Sequence, residues 1–350
     1  MRLQLIVLLA ARVAAADTSF TAKTQVYADS DHTTVISPVV QAQSDITPAT
    51  TVSLGYLVDV VSSASVDIVS QASPTTIHDT RHQVSAGVAQ TAGDWSLHGG
   101  YSFSRENDYL SHTFDASVTR DLFDKNTQLG AGYGISLNTV GRADDVNFTR
   151  SLTVQHVALS VTQVLSPKLI GQITYEVEDN EGYQASAYRF VPVRQTPDAA
   201  PDFWVPETDP DSRWRHSVVL GLNRAVGDGS VQGDFRIYHD TWGITSETVG
   251  ARYYVKLGHD TELRLRERFY TQGAASFYQS TYMATQQYMA FDRELSPLWS
   301  ETFGAKLMHL FTPHVEGEIK ADVFYYSYSD FIPLQSRTGT NIGLGVSVTY

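Results

Sequence analysis

Apolar and polar residues alternate with a period of two along nearly the whole chain, and the 3.6-residue period of an amphipathic helix is almost absent. From Val231 to His239, Val231, Gly233, Phe235 and Ile237 share one face, and Gln232, Asp234, Arg236 and Tyr238 share the other. Val315, Gly317, Ile319, Ala321 and Val323 alternate in the same way with Glu316, Glu318, Lys320 and Asp322. Trp214, His216, Val218, Leu220 and Leu222 form a third row. Segments of about ten residues with this dyad pattern are those of a membrane barrel, with one face to lipid and one to the lumen.

The connections between these segments sort into two kinds. Tight turns are expected at Ile46–Pro48, Gly93-Asp94, Asp124–Asn126, Ser166–Lys168, Gly227–Gly229, Gly258–Asp260 and Thr312–His314. Longer connections fall between them at Ser62–His78, Thr139–Thr149, Asp179–Ser212, Thr271–Pro297 and Ser329–Arg337. Shorter ones lie near Asp29–Thr33, Glu106–Asp108 and Thr241–Gly243. Short turns at one end and longer loops at the other are the periplasmic and extracellular ends of such a barrel. The pattern therefore predicts an all-β fold: a transmembrane antiparallel β-barrel of about 16 strands, with about 14 as the alternative and both termini periplasmic.

Aromatic residues collect at the strand ends assigned as extracellular: Tyr101, Phe103, Tyr109, Tyr175, Tyr183, Trp214, Tyr238, Trp242, Phe269, Tyr270, Trp299, Tyr325 and Tyr326. An interfacial girdle accounts for this placement, because amphipathic rings favour the headgroup level. The last segment, Ile342, Leu344, Val346, Val348 and Tyr350, alternates to the final aromatic residue. It resembles the C-terminal signal that hands outer-membrane proteins to their insertion machinery, with Tyr350 in place of the usual Phe.

Composition narrows the class further. Met1–Ala16 reads as a secretory signal: Arg2 opens it, Leu3–Ala10 is apolar, and Ala14–Ala16 supplies small residues for cleavage. Residues 17–350 then form a single barrel domain in the bacterial outer membrane. The formal charge of −13 argues against nucleic acid as a partner, and loss of Arg2 and Arg12 makes the remainder more acidic still. Without cysteine, disulfides and thiolate metal sites are excluded. No stretch after the leader approaches the length of a transmembrane helix.

Several segments also resemble an uncharacterised family of bacterial outer-membrane proteins known only as a domain of unknown function. They are Val66–Pro74, Gly132-Tyr133-Gly134 with Asp144-Asp145, Tyr183 through Tyr188-Arg189-Phe190, Asp209–Arg213 and Tyr238–Gly243. The resemblance spans much of the barrel. It implies location and architecture, and it brings no activity or site residues.

Alternation assigns candidate lumen side chains. Arg252 and Lys256 share a row with Tyr254, followed by Arg264, Arg266 and Arg268 on the next segment. Glu316, Glu318 and Asp322 point the same way near the C-terminus, with Lys320 among them. A basic wall near an acidic wall resembles the transverse field of general porins and would select permeating solutes, while a static ion-pair network filling the lumen is the alternative. The same register turns Glu267 and Glu301 toward lipid, which requires a bulge, a shifted register or a protomer interface to relieve it. The Asp179–Ser212 loop carries Asp179, Glu181, Asp198, Asp202, Glu207, Asp209 and Asp211 against Arg189 and Arg194. These acids do not match a Ca²⁺-loop spacing, so a solvated acidic surface is expected, on a loop able to fold into the mouth. No G-x-S-x-G or H-E-x-x-H pattern is present, and the nearby His78, Asp79 and His82 read as a surface cluster. A non-enzymatic barrel without cofactor or metal is expected: a porin-like channel for small hydrophilic solutes. The alternative is a closed barrel that acts through its loops as scaffold or receptor for a secretion or electron-transfer partner.

Overall fold

The computed structural model describes residues 17–63 and 77–350. The proposed leader Met1–Ala16 and the Val66–Pro74 segment lie outside the described residues. Strands β1 (Thr18–Asp29), β2 (Thr33–Thr47), β3 (Thr50–Ser63), β4 (Ile77–Ala92), β5 (Trp95–Arg105), β6 (Tyr109–Leu122), β7 (Thr127–Val140), β8 (Arg150–Ser166) and β9 (Leu169–Gly182) follow one another in antiparallel order. A small hairpin, β10 (Phe190–Val193) and β11 (Phe203–Pro206), stands outside the barrel wall. The wall then continues through β12 (Ser212–Val226), β13 (Gly229–Asp240), β14 (Thr245–Lys256), β15 (Thr261–Gln272), β16 (Leu298–Thr312), β17 (Val315–Tyr328) and β18 (Ser336–Thr349). Pairing of β1 with β18 closes a barrel of sixteen antiparallel strands.

Closure leaves no unpaired strand edge, which is the condition for backbone to cross hydrocarbon without losing hydrogen bonds. The two ends of the ladder meet at the turn end, where Thr18 and Tyr350 exchange backbone hydrogen bonds of 3.3 and 2.9 Å. The tight turns fall at the seven expected places. Gly93 and Gly227 open two-residue turns with φ of 61° and 56°, a conformation that favours glycine and suits the twist of a hairpin.

The apolar face of every strand points outward. Leu54 is 62% exposed, Phe303 61% and Leu344 58%, values that fit a belt solvated by lipid rather than water. Glu267 and Glu301 also point outward, because β15 and β16 pair from Thr261↔His309 to Gln272↔Leu298 with no shift of register. Neither a bulge nor a slip relieves these two carboxylates.

Two expectations need correction. The long connection after β9 covers 183–211, since Asp179 pairs with Trp214 and Glu181 with Ser212 in the β9–β12 ladder. Asp179 and Glu181 are therefore strand residues on the outer face. The aromatic girdle is also smaller than expected. Tyr101, Phe103, Tyr175, Trp214, Phe269, Trp299 and Tyr325 face outward, whereas Tyr109, Tyr238, Tyr270 and Tyr326 face the lumen. Sequence neighbours such as Phe269–Tyr270 and Tyr325–Tyr326 cannot share a face of one strand. Trp242 and Tyr183 belong to loops, and Trp242 is buried. On the outer face, Tyr56, Tyr101 and Tyr175 each place a hydroxyl 2.9 Å from the Nδ1 of a diagonal histidine: His82, His112 and His216.

Candidate functional site

The two halves of the inner wall differ in side-chain size. Along β4–β8 the lumen rows read Gly87–Gly100–Asp115–Gly134–His156 and Ser85–Ser102–Thr113–Ser136–Val154. Glycine, serine and threonine dominate there, so this half leaves space beside it. Along β12–β18 the lumen rows carry arginine, lysine, glutamate, aspartate and tyrosine.

All eight candidate lumen residues point inward: Arg252, Lys256, Arg264, Arg266, Arg268, Glu316, Glu318 and Asp322. They do not form two opposed walls, however. β14 to β17 are consecutive neighbours in the sheet, so their charges interdigitate. Glu318 lies 2.6 Å from Lys306 and 3.0 Å from Lys23, and Asp322 lies 2.9 Å from Arg266 and 2.8 Å from Lys320. Arg252 pairs with Asp234 at 3.0 Å. The acidic wall is thus neutralised, and Glu316 stays exposed near the turn end. Gly304 makes the Arg266–Asp322 pair possible, because a Cβ there would overlap the Asp322 carboxylate. Arg264 and Arg268 form no ion pair among the described residues.

The loop end is covered by a packed lid. Among the described residues, the buried apolar side chains all fall between Ala185 and Phe331. Val191 and Val193 of β10 pack on Tyr282 and Met289, and Trp242 and Ile244 pack on Ala275, Tyr278, Ala290 and Leu295. Leu298, Tyr328 and Phe331 form a third cluster. The 273–297 connection turns through a short 3-10 segment, Arg293–Leu295, capped by Asp292, whose side chain accepts from the Glu294 N–H. Arg293 is buried against Asp31 of the first loop, so the lid is tied to the start of the barrel as well.

The acidic loop does not behave as one solvated surface. Asp198, Asp202 and Asp211 are exposed, but Glu207 is buried. Its two oxygens accept the N–H groups of Ser186 at 3.1 Å and Phe291 at 2.9 Å, joining the 183–211 and 273–297 connections. Arg189 donates to Asp292 at 2.7 Å and stands 3.7 Å from Glu207. Burial, with the charges of Glu207 and Asp292 beside it, pushes the Asp209 carboxyl up to about 8. On the far side of the mouth, the Tyr188 hydroxyl donates to Asp108 and accepts the Ala143 N–H at 2.8 Å. Asp108 also approaches Asp79 and Glu106, and burial followed by the Asp79 charge pushes Glu106 up to about 7. Asp79 faces inward and His82 outward, so this pair of the expected surface cluster separates; the side chain of His78 lies outside the described residues.

The family model described as "Protein of unknown function (DUF3570)" matches residues 64–156 and 143–339. The chain belongs to this family. No curated protein matches it. Among solved structures it is similar to a bacterial polysaccharide outer membrane secretin, with a TM-score of 0.53 and 9% identity over 96% of this chain and 98% of that one. It is also similar to OpdK of Pseudomonas aeruginosa, crystallised with vanillate, at a TM-score of 0.48 and 9% identity over 96% and 99% of the two chains. A loop-deletion mutant of OmpT from Vibrio cholerae gives 0.46 and 10% identity over 96% and 99%. This DUF3570 chain thus has the fold of a bacterial outer-membrane barrel, and its apolar belt suits that membrane. The lid residues Arg189, Asp209 and Trp242 fall inside the matched segments. Glu207, Asp292 and Arg293 carry the lid and were not separable from other polar loop residues by sequence, since their partners lie far along the chain.

Proposed function

We propose that this barrel is a porin-like channel for small hydrophilic solutes, gated at its loop end by the packed lid. The supporting observation is the two-sided lumen. Small side chains line β4–β8, and charged ones, with Arg264 and Arg268 unpaired, line the opposite half. A barrel of 16 strands is wide enough for an aqueous path, and fixed charges along that path select ions. No reaction is assigned to the chain; its partners on this reading are outer-membrane lipid, the insertion machinery that reads Tyr350, and the solute. Reconstitution in planar bilayers tests the reading. Stepwise, salt-dependent currents are expected, and the double variant Arg264→Glu, Arg266→Glu should shift selectivity toward cations. A barrel that inserts and stays silent sinks the channel. That result would favour a second reading, supported by the extent of lid packing, in which a closed barrel displays its loops to a partner in a secretion or electron-transfer assembly.

A further inference from the structure

We infer that the outward face of β4–β6 at the loop end binds a phosphate-bearing membrane lipid. Its headgroup sits on Arg105, between His82 and His112, and its acyl chains lie on the apolar wall beneath. The site stands whether or not the barrel conducts. A repeat on the outer surface sets its level. Tyr56, Tyr101, Tyr133 and Tyr175 stand on β3, β5, β7 and β9. Each hydroxyl lies 2.9 Å from a diagonal neighbour on the following wall strand: His82, His112, Gln155 and His216 in turn.

The four tyrosines share one depth. Closure staggers the hydrogen-bonded rows, so that Ser19 near the turn end leads through Gly87, Asp115 and Glu178 to Asp240 at the loop end. Strands of a barrel tilt against its axis, and a row therefore climbs as it crosses the wall. The row of Tyr56 reaches Phe103, two residues above Tyr101. The row of Tyr101 reaches Ile135, two above Tyr133, and that of Tyr133 reaches Val177, two above Tyr175. This step every two strands offsets the climb and returns each hydroxyl to the same level. Amphipathic rings settle at the headgroup boundary, so the histidines one outward position higher meet the headgroups. With the tyrosine hydroxyl donating to Nδ1, each imidazole carries its proton at Nε2 and keeps that donor for a ligand.

Arg105 decides where on this band a phosphate fits. It ends β5, two positions beyond the outward Phe103, and is exposed. Its backbone lies opposite His82 on β4 and Leu110 on β6, with His112 on the diagonal. Side chains so placed start about 5 Å and about 7–8 Å apart, within reach of a long guanidinium. Arg105 forms no ion pair among the described residues. The carboxylates of the adjoining loops stay on the aqueous rim. Glu106 clusters there with Asp79 and Asp108, Asp144 pairs with Arg142 at 2.6 Å, and Asp145 accepts the Asn147 N–H at 3.0 Å. Among the described residues, no outward position of β3–β8 holds Asp or Glu. Beyond β8 the outer face turns acidic, with Asp179 and Glu181 on β9 and Glu247, Glu267 and Glu301 further round. An anionic headgroup is thus favoured on β4–β6 and repelled from β9–β16. A guanidinium fork matches phosphate oxygens, and the exposed Val84, Val88 and Phe114 below it supply the wall for acyl chains.

Native mass spectrometry of the full barrel released from detergent micelles tests the site independently of conduction. Dioleoylphosphatidic acid is set against dioleoylglycerol, its analogue without phosphate. The phosphatidic acid is expected to bind about tenfold more tightly, the worth of a charge-assisted contact. Arg105→Gln should remove most of that preference, and His82→Phe with His112→Phe should weaken it while keeping the rings. Excess inorganic phosphate should leave the lipid bound, since it has no chains for the apolar wall. Equal binding of the two lipids by the unaltered protein overturns the site whatever the variants do. Displacement by inorganic phosphate overturns the lipid as occupant. An equal loss in Arg120→Gln, an outward arginine at the turn end, would show attraction by charge alone and overturn the assignment to β4–β6.

Discussion

Replacing Glu207 by alanine tests whether the lid is a folded unit held by internal polar bonds. Glu207 is 4% exposed and satisfies two backbone N–H groups, one on each of the connections it joins. Alanine leaves both donors unsatisfied where water has little access. Each such donor costs about 1–3 kcal/mol, and Arg189 still keeps Asp292, so the lid should lose about 2–6 kcal/mol of docking free energy. At about 1.4 kcal/mol per tenfold, that is a rise of roughly 30- to 20,000-fold in the population of the undocked lid. The barrel ladder itself is untouched. Amide hydrogen exchange in detergent micelles should therefore accelerate by this factor at Ser186, Val191, Val193 and Phe291, while the β2–β8 amides keep their protection. Unchanged exchange at Phe291 would refute the claim that Glu207 clasps the two connections. Acceleration spread evenly through β2–β8 would refute the separation of lid from barrel.

Three further outcomes follow from particular contacts. Asp209 has its carboxyl pushed up to about 8, so it holds its proton in the docked lid and loses it in an undocked one above about 4. The Asp209 contribution to docking should be full below about pH 4 and be lost steadily up to pH 8, so the lid should be looser at pH 9 than at pH 5, where its ion pairs are still charged; protease nicking within 183–211 that is equal at pH 5 and pH 9 would contradict this. Gly304→Ala should cost about 1–3 kcal/mol in thermal unfolding, because its methyl group displaces the Arg266–Asp322 pair; an unchanged midpoint would show that the pair is not closed over Gly304. Glu267→Leu together with Glu301→Leu should stabilise the barrel in lipid vesicles by about 1 kcal/mol, since two carboxyl groups that bond each other leave the lipid face, and destabilisation would point to a partner for this pair in the membrane.

The lid and the lumen are asymmetric in the same sense. Hydrophobic clusters and buried ion pairs fix the lid over β12–β18, the half whose lumen is crowded with charge. Across the mouth it is held at Tyr188, above the half lined by glycine and serine. The firm side thus covers the charged half of the lumen, and the lighter tie covers the half lined by small side chains. Displacement of a lid hinged in this way would open the side with room for passage.

The barrel was legible in the sequence because alternation is a local property. A strand rotates each side chain half a turn from the last, so Val231–His239 shows its two faces without knowledge of any neighbour. Turn residues such as Gly93 and Gly227 carry their conformational need in their own identity, and the strand count followed from them. Even the awkward outward placement of Glu267 and Glu301 could be read this way. Charge pairing could not. Lys23 reaches Glu318 only because β1 closes on β18, and Arg293 finds Asp31 only because a loop folds back over the mouth. In sequence Glu207 looked like one acid among seven in a polar loop, and its burial comes from the Met289–Phe291 segment packing on it. The lumen faces were thus decided by backbone geometry within each strand. The neutral acidic wall, the unpaired Arg268 and the buried lid carboxylate were decided by strand pairing, closure and loop packing, which bring distant segments within bonding distance.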